Sequence, residues 1–191
     1  MASAPPGAEA PVSALPVELP SRSARPSAVL CAVFDDRGQA AVVLTRRSSR
    51  LRSHTGEVSF PGGRLDPGEA PSSAALREAW EEVGIAPVSV ELIGQLHPLT
   101  TPVNPAPIVP FVGVLDRAPV LAPNPAEVER AFTTTVASLF AVYRDEVWSD
   151  PRYGGDRLMC FFDLDHDIVW GATARMLRDL LDRVWTTTPR G

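Results

Sequence analysis

Apolar positions along the chain fall into two periods. Residues 28–34 (AVLCAVF) form an unbroken apolar run, the turn Asp35-Asp36-Arg37-Gly38 follows, and residues 39–45 are again apolar, so the pair reads as two buried strands in one sheet. Residues 88–96, 108–115 and 158–164 carry further strand patterns, with a short strand through Phe132 and a short helix over 136–143. The period changes to 3.6 in two places. One is residues 73–83, where Leu76, Ala79, Trp80 and Val83 form an expected apolar stripe with Glu78, Glu81 and Glu82 on the opposite face; the other is WGATARMLRDLLDRVW, with Ala174, Leu177, Leu180, Leu181 and Val184 facing inward. Strands interleaved with helices predict an α/β fold.

With 191 residues and 45% hydrophobic content, the chain can build one substantial core. The expected organisation is a Pro/Ala-rich flexible tail over residues 1–27, one domain over 28–186 and a short tail over 187–191. The first segment has no hydrophobic periodicity and too little apolar surface to offset the entropy of ordering. Residues 97–107 (HPLTTPVNPAP) are too rich in proline for regular structure and read as a stiff loop at the wall of a pocket.

A net charge of −5 excludes a general nucleic-acid binder. No apolar stretch has transmembrane length or signal-peptide character, which predicts a cytoplasmic protein without membrane attachment. Cys31 and Cys160 stand in apolar runs without metal or redox spacing and read as small core residues of a reducing compartment.

The acidic helix carries the chemistry. Like charges at i, i+3 and i+4 repel, and a hard divalent cation held by carboxylate oxygens relieves them; with no His or Cys cluster, Mg²⁺ or Mn²⁺ suits the donors better than zinc. Upstream, Arg46, Arg47, Arg50 and Arg52 gather before Phe60-Pro61-Gly62-Gly63, a basic segment suited to phosphate and a turn whose glycines allow close approach. His54 lies in the same stretch, but a lone histidine is more often a structural residue than a catalyst, and it is left outside the catalytic set.

Gly63, Glu69, Arg77, Glu78, Glu81, Glu82 and Gly84 occupy every fixed position of the Nudix box. At about 7% usage per residue type, seven such matches coincide by chance roughly once in 10⁸ trials. The chain therefore resembles the Nudix hydrolases, with Ala79 at the apolar position that is usually bulkier. The resemblance implies an α/β/α sandwich with a mixed central β-sheet, metal held by Glu78, Glu81, Glu82 and the Gly63 carbonyl, and an orienting pair between Arg77 and Glu69. It places Arg77, Glu78, Glu81, Glu82 and Glu69 in the catalytic set, and a glutamate outside the box, Glu127 or Glu129, as a further metal contact or general base. It also admits a homodimer, although no stretch specifies an interface.

Val43-Leu44-Thr45-x-Arg47-Ser48, then Arg52, Gly56 and Phe60-Pro61-Gly62-Gly63, resemble the extended motif of the coenzyme A branch of the family, as does the Trp-Gly-Ala-Thr-Ala start of the last helix. That likeness implies substrate contacts from Arg47, Arg52, Phe60, Gly62 and Gly63, with cleavage of coenzyme A to adenosine 3′,5′-bisphosphate and 4′-phosphopantetheine. Val103-Asn104-Pro105 stand where that branch carries a glycine-and-aromatic element. ADP-ribose or another nucleoside diphosphate derivative is thus the alternative substrate, and a noncatalytic ligand sensor is the alternative from another class.

Overall fold

The computed structural model describes residues 25–48, 56–101, 105–150 and 155–187. Arg50, Arg52, His54, Val103 and Asn104 lie outside them, as do residues 1–24 and 188–191. The first apolar runs become β1 (Ser27–Asp36) and β2 (Gln39–Arg47), antiparallel with Val33 opposite Val42. Their two-residue turn has positive φ at Arg37 (55°) and Gly38 (85°), the left-handed geometry that matches strand twist in tight hairpins. The Asp35 carboxylate accepts a hydrogen bond from the Gly38 N–H at 2.6 Å and fixes it.

The chain continues through β3 (Val58–Ser59), β4 (Gly62–Arg64), α1 (Pro71–Val83), a 3₁₀ turn at Pro87–Ser89, β5 (Val90–Gln95), β6 (Ile108–Leu115), β7 (Val128–Thr135) and α2 (Val136–Val142). It ends with β8 (Tyr143–Asp150), β9 (Gly155–Leu164), β10 (Asp167–Val169) and α3 (Gly171–Thr187). Strands β1–β7 form one mixed sheet in which β1 and β6 are parallel and the other pairs antiparallel; β4 pairs with the start of β1, and β7 with β2. β8, β9 and β10 form a second, antiparallel sheet.

The period-2 alternation of the strands separates two cores. Ala28, Leu30, Ala32 and Phe34 of β1 and Val43 of β2 pack against Ala75, Leu76, Ala79 and Val83 of α1. Val29, Cys31, Val42 and Leu44 point the other way, onto Leu139 of α2, Phe162 of β9 and Leu177 of α3. Both cysteines are free and buried, as their apolar settings predict.

Four details correct the expectations. β1 begins at Ser27, whose N–H donates to Pro107, and Pro26 accepts from Leu65, so the folded region starts inside the supposed tail. Trp80 is 41% exposed and leaves the apolar stripe, because it stands about 100° around the helix from the fully buried Ala79. Val184 is likewise exposed rather than inward. The sequence pattern does not mark β8, because YRDEVWSD has no apolar alternation; its order comes from full-length pairing with β9, from Tyr143 opposite Phe162 to Asp150 opposite Gly155.

The two sheets are joined by charge. Arg46 and Arg130 stand directly opposite each other across β2 and β7, a like-charge pair that is unfavourable by itself. The buried Asp167 of β10 accepts from both, 2.7 Å from Arg46 Nη1, and the Arg130 guanidinium also lies 4.4 Å from the Phe132 ring centroid. Replacing Asp167 with Ala leaves two facing cations without their shared acceptor, and should lower unfolding stability by about 2–3 kcal/mol in urea titrations. A change within a few tenths of a kcal/mol would show that the contact is not a clamp.

Candidate active site

The site is built where α1 meets the β4 turn. Pro71 opens the helix with the φ its ring already prefers, and Gly84 ends it in the left-handed conformation, φ 77°, donating to the Trp80 carbonyl at 3.0 Å. At about 100° per residue, Glu82 falls about 60° from Ala79, Glu78 about 100° and Glu81 about 160°. The three glutamates therefore span about 100° along one flank of the helix, which runs from the buried side to solvent rather than lying wholly opposite the apolar stripe. Glu82 is on the buried side at 4% exposure, Glu78 flanks it, and Glu81 turns to solvent.

The loop after β6 supplies the third carboxylate. The Ala122 N–H donates to the Val83 carbonyl and the Asn124 N–H to the Glu82 carbonyl, both at 2.9 Å, so two otherwise unpaired carbonyls at the end of α1 hold the loop. Ala122 also lies 3.2 Å from where a Cβ on Gly84 would stand, which adds a steric reason for glycine to the backbone one. The Asn124 side chain accepts from Ala126 N–H at 3.1 Å, its carbonyl accepts from Glu127 and Val128, and the Glu127 carbonyl accepts from Ser48. This tight turn brings a Glu127 oxygen within 4.8 Å of oxygens on Glu78 and Glu82.

Glu127 and Glu129 are thereby distinguished. Glu127 joins the cluster, whereas Glu129 lies 3.9 Å from Arg46 Nε in the clamp between the sheets. Nothing in the local sequence separates two glutamates two residues apart; the direction each faces depends on the turn at Asn124.

The backbone of the β4 turn closes over these carboxylates. Gly62 N–H donates to Glu82 at 3.1 Å. A Cβ on Gly63 would stand 2.5 Å from the Glu78 carboxylate carbon, and one on Gly62 would stand 2.4 Å from the Ala28 carbonyl oxygen, so both positions need glycine for space. Phe60, expected to meet substrate, is 1% exposed and packs in the core on the α3 side. Its side chain supports the turn from within. Arg52 and His54 fall outside the described residues.

Arg77 holds the outer flank. Its Nε and Nη2 form a bidentate pair with Glu69 at 2.8 and 2.9 Å, while Nη1 donates to Glu78 at 2.9 Å and to Glu81 at 3.0 Å. Hydrogen bonding to Arg77 holds the Glu69 carboxyl below its ordinary range, with a further bond from the Asp66 N–H. The expected orienting pair is thus formed, and Glu81 engages Arg77 rather than the Glu78, Glu82 and Glu127 cluster.

Burial pushes the Glu78 carboxyl up, against the pull of Arg77. Burial raises Glu82 further, to about 7, with repulsion from Glu78 and Glu127 added; Gly62 N–H and the positive charge of Arg47 only partly offset it. An all-oxygen donor set, in which the Glu78 and Glu82 carboxyls have raised proton affinity, fits a hard divalent cation, which would take the proton's place. Arg47 is close enough to act on Glu82, and no described residue hydrogen-bonds its buried Nε.

The α/β/α layers and this carboxylate set define a class of divalent-metal enzyme, and comparison with known proteins agrees. Residues 24–153 match the NUDIX domain model, well over half the chain. The uncharacterized Nudix hydrolase NudL of Klebsiella pneumoniae is 38% identical over 165 residues, covering 84% of this chain and 85% of the relative. That of Photorhabdus laumondii is 37% identical over 144 residues, covering 75% and 76%. The chain belongs to the Nudix hydrolase family.

Among solved structures, the Nudix hydrolase RenU from M. Smegmatis aligns with a TM-score of 0.60 at 15% identity, over 87% of this chain and 89% of that one. The NUDIX domain of Shewanella oneidensis NrtR, complexed with ADP ribose, aligns with a TM-score of 0.58 at 15% identity, over 86% and 90%. At such identities these likenesses describe the fold. No helix among the described residues is long and apolar enough to cross a membrane.

The raised Glu82 carboxyl sets a pH dependence. Its folded value near 7 lies above the ordinary 4.5, so its contribution to metal-free stability is complete below about 4.5 and lost as pH rises through about 7. Cation binding needs the carboxylate and must displace this proton at lower pH. Divalent-metal affinity should therefore be about ten-fold weaker at pH 6 than at pH 8. Calorimetry in buffers of different ionisation enthalpy should show close to one proton released at pH 6; pH-independent affinity without release would contradict the assignment.

Proposed function

We propose that this Nudix hydrolase cleaves the diphosphate linkage of coenzyme A or its derivatives, with Mg²⁺ or Mn²⁺, to adenosine 3′,5′-bisphosphate and 4′-phosphopantetheine. The observation that carries the reaction class is the convergence of Glu78, Glu82 and Glu127 within 4.8 Å beneath the Gly62-Gly63 turn. A bound divalent cation supplies neutralisation of the diphosphate charge, without which attack by water is slow.

The chain's own groups do the remaining work. Glu78 and Glu82 would hold the cation from α1, with the Gly63 backbone beside Glu78. Arg77 keeps Glu78 in register through the Glu69 pair. Glu127, beside Glu78 and Glu82, would either add an oxygen to the cation's set or accept the proton as water attacks phosphorus and the bridging P–O bond breaks. Arg47, whose positive charge reaches Glu82, would also meet the anionic substrate.

The coenzyme A assignment is supported by the upstream motif, whose Thr45 and Arg47 lie at the end of β2 and whose Ser48 follows it, with Ser48 N–H bonded to the Glu127 carbonyl at 2.9 Å. ADP-ribose is the second reading, on the observation that Val103-Asn104-Pro105 replace the glycine-and-aromatic element of the coenzyme A branch.

A hydrolysis screen with Mg²⁺ and with Mn²⁺ across coenzyme A, its thioesters, ADP-ribose, diadenosine polyphosphates and nucleoside triphosphates, with products resolved by mass, decides between the readings. Preferred release of the bisphosphate and phosphopantetheine is expected; preference for ADP-ribose would transfer specificity to the loop after Thr101. In the same assay Glu127→Gln should lower kcat by about 10²–10³-fold and Glu129→Gln by less than about three-fold. Equal effects would remove the distinction between the two glutamates.

A further inference from the structure

The loop that carries Glu127 is short, rich in proline and organised by one residue. Positions 122–128 read APNPAEV, with a proline on each side of Asn124. A residue that precedes proline is steered toward extended backbone, and Pro125 brings its own fixed φ to the second position of the turn. The Asn124 carbonyl accepts from Glu127 N–H at 3.0 Å and from Val128 N–H at 2.8 Å, while its side-chain oxygen accepts from Ala126 N–H at 3.1 Å. Pro125 has no N–H, so Asn124 binds each donor that the turn presents. Among the described residues Arg37 is the one non-glycine with positive φ. Asparagine therefore serves at position 124 through its side chain, since no left-handed backbone is required there.

The same residue grips the helix. Asn124 N–H donates to the Glu82 carbonyl at 2.9 Å. Glu127 is pinned from its other side: its carbonyl accepts from Ser48, and the next residue, Val128, is 2% exposed and stands opposite Arg47 where β7 pairs with β2. One residue thus links the backbone of Glu82 to the backbone of Glu127, and the two carboxylates meet within 4.8 Å.

Stiffness at this link has a chemical consequence. Mg²⁺ binds oxygen at about 2.0–2.1 Å in a near-ideal octahedron, whereas Ca²⁺ sits at about 2.3–2.6 Å among more numerous and more flexible ligands. To hold the larger ion, Glu127 must move away from α1 by a few tenths of an ångström, which strains the hydrogen bonds of the turn. A loose loop would follow the ion without that penalty.

We infer that Asn124 is a positioning residue that fixes the span between Glu82 and Glu127 and thereby biases the site toward a small divalent cation. The inference rests on the cation-site reading above, with Glu127 contributing an oxygen. Asn124 itself touches neither cation nor substrate and acts through Glu127.

The test needs no turnover. Mn²⁺ bound to the full chain is followed by electron paramagnetic resonance, with Mg²⁺ and Ca²⁺ as competitors. Asn124→Ala should weaken Mg²⁺ about ten-fold and Ca²⁺ less than about three-fold, whereas Asn124→Ser, whose hydroxyl can still accept from Ala126, should stay within about three-fold for both. Pro125→Gly loosens the exposed turn and leaves Asn124 in place; it should narrow the Mg²⁺-to-Ca²⁺ preference about three-fold, and decides the matter by that ratio if Asn124→Ala fails to fold. In a Glu127→Gln chain, Asn124→Ala should add less than about two-fold. Equal weakening of both ions, a loss that persists without the Glu127 carboxylate, or Mg²⁺ affinity that Glu127→Gln leaves unchanged overturns the inference while the cation site stands. Mn²⁺ binding that is absent, or indifferent to Glu82→Gln, refutes the cation site and the inference with it.

Discussion

The structure turns on a carboxylate placed where a helix would normally put an apolar side chain. Glu82 lies on the core-facing side of α1, 4% exposed, with the Gly62 N–H as its close hydrogen-bond donor. Burial of a carboxylate without a cation is costly, and the raised proton affinity of Glu82 is that cost expressed as chemistry. The surrounding elements follow from it. The β4 turn must come close enough to donate a backbone hydrogen bond, so Gly62 and Gly63 can carry no Cβ, and the loop at Asn124 must be tied to the end of α1 so that Glu127 arrives beside Glu78 and Glu82.

Two charge hubs with inverted signs keep this arrangement in register. Arg77 is one cation among Glu69, Glu78 and Glu81, and it fixes the flank of the carboxylate-bearing helix. Asp167 is one buried carboxylate between Arg46 and Arg130, and it fixes the second sheet against the first. Arg46 and Arg47 are neighbours at the irregularity where β2 pairs with β7, so the residue that clamps the sheets adjoins the one whose charge acts on Glu82. Packing and site electrostatics thus meet in a single dipeptide.

The central sheet divides the molecule's tasks. On the α1 face, small side chains such as Ala28, Ala32, Ala75 and Ala79 let helix and sheet approach closely, which holds Glu78 and Glu82 near the glycine turn. Ala79, smaller than the box usually carries, is fully buried and forms part of this close contact. On the α3 face the core is larger and includes Phe60 and Phe162. The same alternation of side chains along β1 therefore gives one layer to the reaction and leaves the other free to shape the surface beside it.

What the sequence determined by itself was whatever depends on local spacing. The apolar runs of β1, β2 and β6 assigned strands, the 3.6-residue period over 73–83 assigned α1, and the seven box residues assigned the family and the pair between Arg77 and Glu69, eight positions apart in one turn-and-helix unit. Tertiary structure decided what depends on direction in space. It set Glu82 toward the core and Glu81 toward solvent, chose Glu127 over Glu129 through the turn at Asn124, buried Phe60, and ordered β8 against β9 despite its charged sequence. Periodicity marks which residues share a helix or strand, but the face that is buried, and the distant loop that completes a site, depend on contacts between segments far apart in the chain.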